Sequence, residues 1–359
     1  MKQTFLMAGG GTGGHVVPAI AVAQELRRLG HKVIFVGTKK GLEAKLVPAA
    51  GFPIEWIEIG GIKGLGIGAL LKMGIHLPRA VLISLRVMRT AKVAAVFSMG
   101  GFVAGPVVLA AAALGVPLVV MEPNAMPGLT NRRMAKLAYR ALVMFEEAGQ
   151  FFRPGRWEVS GLPVREAFFL IKQRRPARPL TVLVTGGSRG SRTLNNAARD
   201  CWKRTQEAGL KIRWLHQCGT DGIDVLQQEF SAGRFEGRVD AFFDNMAKVF
   251  DEADLIICRS GASTVSELAA AGKAAVLVPF PFAADDHQLK NAEAMVRNGA
   301  AVLVLDKEMT GARMLLEIQA LEMDRDRIET MGKAARKLAR PGALARAVTV
   351  LLEAAKVNG

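Results

Sequence analysis

Two glycine-rich runs carry the residue types best suited to chemistry: Gly9 to His15, read GGGTGGH, and Gly186 to Arg192, read GGSRGSR. Each follows a short apolar run and leads into a helical stretch, so its backbone N–H groups gather beside a helix N-terminus. The dipole there stabilises a nearby anion by about 0.3 to 2 kcal/mol, and a diphosphate suits such a place. Two further runs of this kind, MGGFVAGP from residue 99 and RSGASTVSE from residue 259, also follow apolar segments. Taken singly, each loop is equally well explained as a tight turn. Only the first run ends in a histidine, and of five histidines His15 alone sits in a glycine loop. An imidazole titrates close to neutrality, as a general base must. His31, His76 and His216 have no motif around them and are expected to be structural.

Gly9, Gly11 and Gly14 also satisfy GxGxxG between a strand and a helix, the fingerprint of a dinucleotide site. That fingerprint expects an acid at the end of the second strand to hold a ribose, and here Gly37, Thr38, Lys39 and Lys40 stand in its place. A nicotinamide-dependent oxidoreductase is therefore disfavoured rather than excluded, since lysines there suit a cofactor with an extra phosphate.

The elements that must position these loops follow from the pattern around them. Strands are expected at Thr4 to Ala8, Lys32 to Gly37, Ala94 to Ser98 and Pro117 to Met121, with a helix from about Pro18 to Leu29, an alternation typical of a parallel α/β sheet. The proline- and arginine-rich segment Arg153 to Arg178 breaks the rhythm, which restarts with a strand at Leu180 to Thr185. A chain of 359 residues is too long for one ordinary core and fits two. The expected fold class is α/β, with two Rossmann-like doubly wound parallel-sheet domains, residues 1–160 and 161–340. A last helix, 341–359, can pack on either domain.

Composition narrows the partners. Half the residues are hydrophobic, and the three cysteines occur singly, which argues against a disulfide framework or a structural zinc site and fits a reducing compartment. A formal charge of +16 points to an anionic partner: nucleic acid, anionic lipid or a phosphorylated substrate. Nucleic acid is the least supported, because no zinc finger, RNA-recognition signature or basic tract interleaved with aromatics is present. No charge occurs between Val93 and Met121, a length that could span a membrane, but its glycines and prolines divide it into strand, turn, buried helix and strand.

The strings GGGTGGHVVPAIAVAQEL, SMGGFVAGP, EPNAMPGLTNR, GGSRGSRTLN, RSGASTVSELAAAGKAAVLVPFP and DDHQLKNA occur in this order over nearly the whole chain. Together they resemble the MurG glycosyltransferases of family 28. The resemblance implies a GT-B fold, with the acceptor held by the N-terminal half and the donor by the C-terminal half across a cleft. It also implies inverting transfer of N-acetylglucosamine from UDP-N-acetylglucosamine to the C4 hydroxyl of the muramyl-pentapeptide of undecaprenyl-linked lipid I, giving lipid II for peptidoglycan.

Carried over by position, the resemblance sets Thr12, Gly13 and Gly14 in the acceptor loop, with His15 as the catalytic base. Glu122 and Asn124 follow the apolar strand ending at Met121; Glu122 can orient His15, act as an alternative base, or be an ordinary capping or surface acid, and Asn124 can bond a sugar or the acceptor. For the donor it implies Arg165 and Ser188 on the diphosphate or ribose, and Ala262, Ser263, Thr264, Val265, Ser266 and Glu267 along the nucleotide. Glu267 is assigned to the ribose hydroxyls, which a carboxylate suits. The backbone of Phe243 is assigned to the uracil, and His287 and Gln288 to the donor sugar. Leu162 departs from the family, which usually has asparagine there.

No metal or other cofactor is expected. The one DxD string, Asp324 to Asp326, lies in EMDRDRIE and reads as a solvated helix face. From Ile62 to Val93 apolar residues alternate with Lys63, Lys72, Arg79, Arg86, Arg89 and Lys92, a pattern that suits either an anionic membrane surface or a plain amphipathic helix. The membrane reading implies a peripheral protein on the cytoplasmic face of the bacterial inner membrane.

Overall fold

The computed structural model describes residues 2–60, 67–176 and 178–357, with the side chains of all of these except 67–73. The chain divides into two compact units, Met1–Pro163 together with Gly342–Gly359, and Val164–Pro341.

In the first unit, strands β1 (Thr4–Gly9), β2 (Lys32–Gly37), β3 (Ile54–Trp56), β4 (Val93–Gly100), β5 (Leu118–Glu122), β6 (Arg140–Val143) and β7 (Trp157–Val159) form one parallel sheet, in the order β3-β2-β1-β4-β5-β6-β7. Helices α1 (Gly13–Arg28), α2 (Glu43–Ala49), α3 (Ile67–Thr90), α4 (Ala104–Leu114), α5 (Leu129–Met134) and α6 (Glu146–Gly149) connect the strands. Central strands covered on both faces must be apolar throughout, which is why β4 reads VAAVFSMG and β5 reads LVVME. The charge-free stretch is therefore β4, α4 and β5, and among the described residues no helix is long and apolar enough to cross a membrane.

The second unit repeats the plan. Strands β8 (Leu180–Thr185), β9 (Ile212–Gln217), β10 (Glu236–Asp240), β11 (Leu255–Cys258), β12 (Ala274–Leu277) and β13 (Ala301–Leu303) form a parallel sheet ordered β10-β9-β8-β11-β12-β13. It carries α7 (Glu166–Phe169), α8 (Arg192–Glu207), α9 (Ile223–Ala232), α10 (Met246–Glu252), α11 (Ala262–Ala271), α12 (His287–Arg297), α13 (Gly311–Met323) and α14 (Arg325–Leu338). The last helix, α15 (Ala343–Val357), belongs to the first unit, where Ala347, Val350, Leu351 and Ala354 join α1 in the core on one face of the sheet. The opposite face is covered by α3 and α4 through Ala80, Val87, Met88, Val107 and Ala111.

Strand order reverses between β1 and β4 in the first sheet and between β8 and β11 in the second. Loops leaving the carboxyl ends of such neighbouring strands part to opposite faces and open the crevice in which doubly wound sheets bind ligands. The glycine runs after β1 and β4, and after β8 and β11, are those loops.

Two local expectations change. Helix α1 begins at Gly13 rather than near Pro18, because the Thr12 carbonyl accepts the N–H groups of His15 and Val16; Pro18 lies inside the helix. His15 consequently sits in the first helical turn. The DxD string is not one continuous helix face: the chain breaks at Asp324, whose side chain accepts from the Arg327 N–H and caps α14.

Candidate functional site

In the first unit, the β1–α1 loop is shaped by a residue that its own motif does not contain. Glu43, at the start of α2, is fully buried. Its Oε2 accepts from the Gly11 N–H at 2.8 Å, and its Oε1 accepts from Thr38 N at 3.0 Å and Thr38 Oγ1 at 2.8 Å. A Cβ on Gly10 would lie 2.6 Å from Glu43 Oε1, and one on Gly37 would lie 2.7 Å from its Cγ, so these glycines make room for the carboxylate. Gly11 also holds φ +88°, which favours glycine. The dinucleotide alternative weakens here: a buried carboxylate already occupies an N–H that a diphosphate would need.

His15 Nδ1 faces the Gly10 carbonyl at 3.3 Å and Thr12 Oγ1 at 3.4 Å. Gly101 (φ +78°), at the end of β4, packs on the ring: a Cβ there would come 3.6 Å from Nδ1. Thr12 makes no side-chain cap, so the first N–H groups of α1, those of Gly13 and Gly14, are not closed off by it. The structure thus gathers Thr12, Gly13, Gly14 and His15 with the β4 loop.

Glu122 ends β5 with both oxygens turned into its own loop. Oε1 accepts from Asn124 N at 2.9 Å and Asn124 Nδ2 at 3.2 Å; Oε2 accepts from Gly128 N at 3.2 Å and Asn131 Nδ2 at 2.8 Å. Burial pushes its pKa up to about 7, and these four donors pull it back. Thr130 Oγ1 donates to Gly101 O at 2.9 Å, which joins this loop to the one packed on His15. Glu122 therefore orders the segment that carries Asn124.

In the second unit, the β8–α8 loop puts Ser188 and Arg189 at an exposed tip. Gln217, buried at the end of β9, braces it: its Nε2 donates to Gly187 O at 3.1 Å and Thr185 Oγ1 at 3.3 Å, while its Oε1 accepts the Phe243 N–H at 2.9 Å. Phe243 is thereby tied to the glycine loop, with its N–H already engaged. Ser191 caps α8 through the Leu194 N–H and accepts from Arg259 Nη2 at 2.7 Å. Arg259 Nη1 also donates to Asp306 Oδ1 at 2.5 Å and to the carbonyls of Val278 and Pro279, so one guanidinium fastens the loops after β8, β11, β12 and β13.

Helix α11 starts at Ala262 with Gly261 as its N-cap and no side-chain cap, so the first N–H groups, including those of Ser263 and Thr264, point outward from the carboxyl edge. Val265 is buried, and Ser266 Oγ bonds the Ala262 carbonyl at 2.9 Å. Glu267, one turn on, faces Arg165 Nη2 at 3.5 Å. Burial raises Glu267 to about 7 against the pull of that guanidinium. Arg165 and Glu267, which the one resemblance implies for the donor, stand side by side.

At the start of α12, His287 Nδ1 donates to Ala284 O at 2.7 Å, which fixes the tautomer. Gln288 Oε1 accepts from Phe280 N at 3.0 Å, so its amide oxygen is engaged. The preceding Asp285 and Asp286 hold φ +54° and +52°, a strained turn for non-glycine residues. Leu162 packs in the first unit's core. His216 is buried, its Nε2 against Asn195 Oδ1 at 3.1 Å, and burial pushes its pKa down to about 3, as befits a structural histidine. Among the described residues, no three His, Cys, Asp or Glu gather to hold a metal ion.

Two doubly wound parallel sheets, each with ligand-type loops at its switch point, make the GT-B architecture of nucleotide-sugar transferases. Residues 5–143 match the description "Glycosyltransferase family 28 N-terminal domain" and residues 181–346 match "Glycosyltransferase family 28 C-terminal domain". The chain belongs to glycosyltransferase family 28. It is 53% identical over 353 residues, covering 98% of this chain and 96% of the relative, to a protein of Solibacter usitatus named "UDP-N-acetylglucosamine--N-acetylmuramyl-(pentapeptide) pyrophosphoryl-undecaprenol N-acetylglucosamine transferase". It is 43% identical to a protein of the same name from Methylococcus capsulatus, over 99% of both chains. The crystal structure of Acinetobacter baumannii MurG superposes with a TM-score of 0.83 at 34% identity, over 98% of this chain and 100% of that one.

Proposed function

We propose that this chain transfers N-acetylglucosamine from UDP-N-acetylglucosamine to the C4 hydroxyl of the muramyl-pentapeptide on undecaprenyl-linked lipid I, inverting the anomeric centre. The observation that carries the residue assignment is the unequal equipment of the two glycine loops. The first has a histidine, and one of its N–H groups is filled by a carboxylate. The second has the exposed Ser188, with the Arg165 and Glu267 pair in the same unit.

In this reading the acceptor oxygen attacks the anomeric carbon as the bond from that carbon to the diphosphate oxygen breaks. The hydroxyl proton passes to His15 Nε2, and the bonding pair leaves with UDP. With Nδ1 donating to Gly10 O, Nε2 carries the lone pair. Charge on the departing diphosphate is met by Arg165, Ser188 and the N–H groups opening α11, a preorganised set of donors. Glu267 takes the ribose hydroxyls, Phe243 the uracil through its carbonyl oxygen, and His287 and Gln288 the sugar. Asn124, held by Glu122, contacts the acceptor. Incubation of radiolabelled UDP-N-acetylglucosamine with a synthetic lipid-linked muramyl-pentapeptide should yield a β-linked labelled lipid; folded protein that leaves the lipid unlabelled overturns the reading.

The charge distribution supports a peripheral seat on the cytoplasmic face of the membrane. The first unit contains 21 Lys and Arg against 9 Asp and Glu, the second 27 against 23, so 12 of the 16 surplus positive charges belong to the first. Helix α3 exposes Ile75 and Leu82 along with Arg79, Arg86 and Arg89. Lys63, and the side chain of Lys72, lie outside the described residues. Next to α3 on the same face of the sheet, α4 bears no charge at all. Each cation near an anionic leaflet is worth about 1 kcal/mol. Arg79→Gln with Arg86→Gln should therefore weaken co-sedimentation with phosphatidylglycerol vesicles about 30-fold, and unchanged binding removes α3 from the membrane contact.

A further inference from the structure

The peptide unit between Gly10 and Gly11 is held at both ends. Its N–H donates to the buried Glu43 carboxylate at 2.8 Å, and its C=O accepts from His15 Nδ1 at 3.3 Å. We propose that Glu43 is a positioning residue for catalysis, acting on His15 through this single peptide group. The proposal rests on the reading of His15 as the base.

The physical argument is one of polarisation. A carboxylate hydrogen-bonded to an amide N–H draws the peptide dipole into line and makes the carbonyl at its other end a stronger acceptor, because hydrogen bonds in series strengthen one another. A stronger acceptor at Gly10 favours the imidazole tautomer with its proton on Nδ1, and it stabilises the imidazolium that forms as the substrate proton arrives. In other histidine-dependent sites a carboxylate bonded directly to the imidazole does this work. Here the Glu43 carboxylate reaches the Nδ1 side of His15 across one amide.

The surroundings of Glu43 fit a built acceptor site rather than incidental packing. It is fully buried, both oxygens are satisfied by three donors, and Gly10 and Gly37 admit no side chain beside it. Its third donor, Thr38 Oγ1, aims the carboxylate at the loop. Glutamine has the same shape but cannot accept at both ends, so either Gly11 or Thr38 would meet an N–H instead of an oxygen.

The test is a double-mutant cycle on kcat with the full chain, using Glu43→Gln, His15→Ala and the two combined. The expected result is a roughly tenfold lower kcat for Glu43→Gln, with the KM for UDP-N-acetylglucosamine unchanged. No further loss is expected when Glu43→Gln is added to His15→Ala. In 15N-labelled protein, the His15 resonances should shift from the Nδ1–H tautomer toward a mixture. Should Glu43→Gln fail to fold, Thr38→Val carries the same cycle with a smaller kcat loss. Losses that add in the double variant, or a His15 tautomer unmoved in Glu43→Gln or its substitute Thr38→Val, overturn the proposal. A His15→Ala enzyme with undiminished kcat overturns instead the assignment of His15 as base.

Discussion

His15→Ala is expected to lower kcat by about 10² to 10⁴-fold while leaving the KM for UDP-N-acetylglucosamine within about threefold. The size follows from the chemistry. A sugar hydroxyl is a poor nucleophile until its proton leaves, and a base placed to take that proton during attack contributes this range. The selectivity for kcat follows from the residue's place. His15 belongs to the first unit, whereas every residue assigned to the donor, Arg165, Ser188, Phe243, Glu267, His287 and Gln288 among them, belongs to the second. Steady-state assays with the donor varied at saturating acceptor separate the two constants. A variant that loses donor affinity and keeps kcat would show that His15 binds rather than reacts. His15→Gln is a useful companion, because its amide can still donate to Gly10 O without offering a base, and it should be as slow as the alanine variant.

Residues that act through their own sequence neighbourhood are legible in the sequence. The glycine loops, His15 and the α11 run declare themselves because a strand, a turn and a helix start are local, and their spacing is set by the geometry of one βα unit. Glu43, Gln217 and Arg259 were missed for the opposite reason. Glu43 meets Gly11 across 32 residues, Gln217 meets Phe243 across 26, and Arg259 meets Asp306 across 47. Their partners are chosen by sheet order, and nothing in GTKKGLE or in WLHQCG states which loop lies alongside. One faint signal existed for Glu43: it lies six residues beyond the end of β2, close to where a dinucleotide site carries its acid, but turned inward to a backbone N–H. Helix boundaries failed locally too, since Pro18 looked like a start and proved to be tolerated inside α1. The side on which α15 packs was equally invisible, because an apolar helix stripe names no partner.

Glu267 should make donor binding depend on pH, in a direction fixed by its raised pKa. Burial lifts the carboxyl to about 7 despite Arg165 at 3.5 Å, so in the ligand-free protein it is largely protonated at pH 6 and ionised at pH 8. Two ribose hydroxyls donating to one carboxylate require the ionised form to accept both. The KM for UDP-N-acetylglucosamine is therefore expected to rise as pH falls below 7, approaching tenfold per unit, and to level off above it. Glu267→Gln should flatten that dependence. Glu267→Ala should raise KM about 10²-fold at pH 8, the loss of two charge-assisted hydrogen bonds at about 1.5 kcal/mol each. Stability runs the other way. A carboxyl raised in the folded state contributes stability that is full below its unfolded value of 4.5 and is lost as pH climbs through about 7. UDP, by engaging the ionised form, recovers that loss, so the thermal shift on adding UDP should be larger at pH 8 than at pH 6. Glu122, with its own pKa near 7, titrates over the same range but meets no nucleotide in this scheme, so its contribution should cancel between the UDP-bound and UDP-free scans. A thermal shift that is the same at both pH values in the native chain would remove Glu267 from the ribose, whatever the activity of its variants.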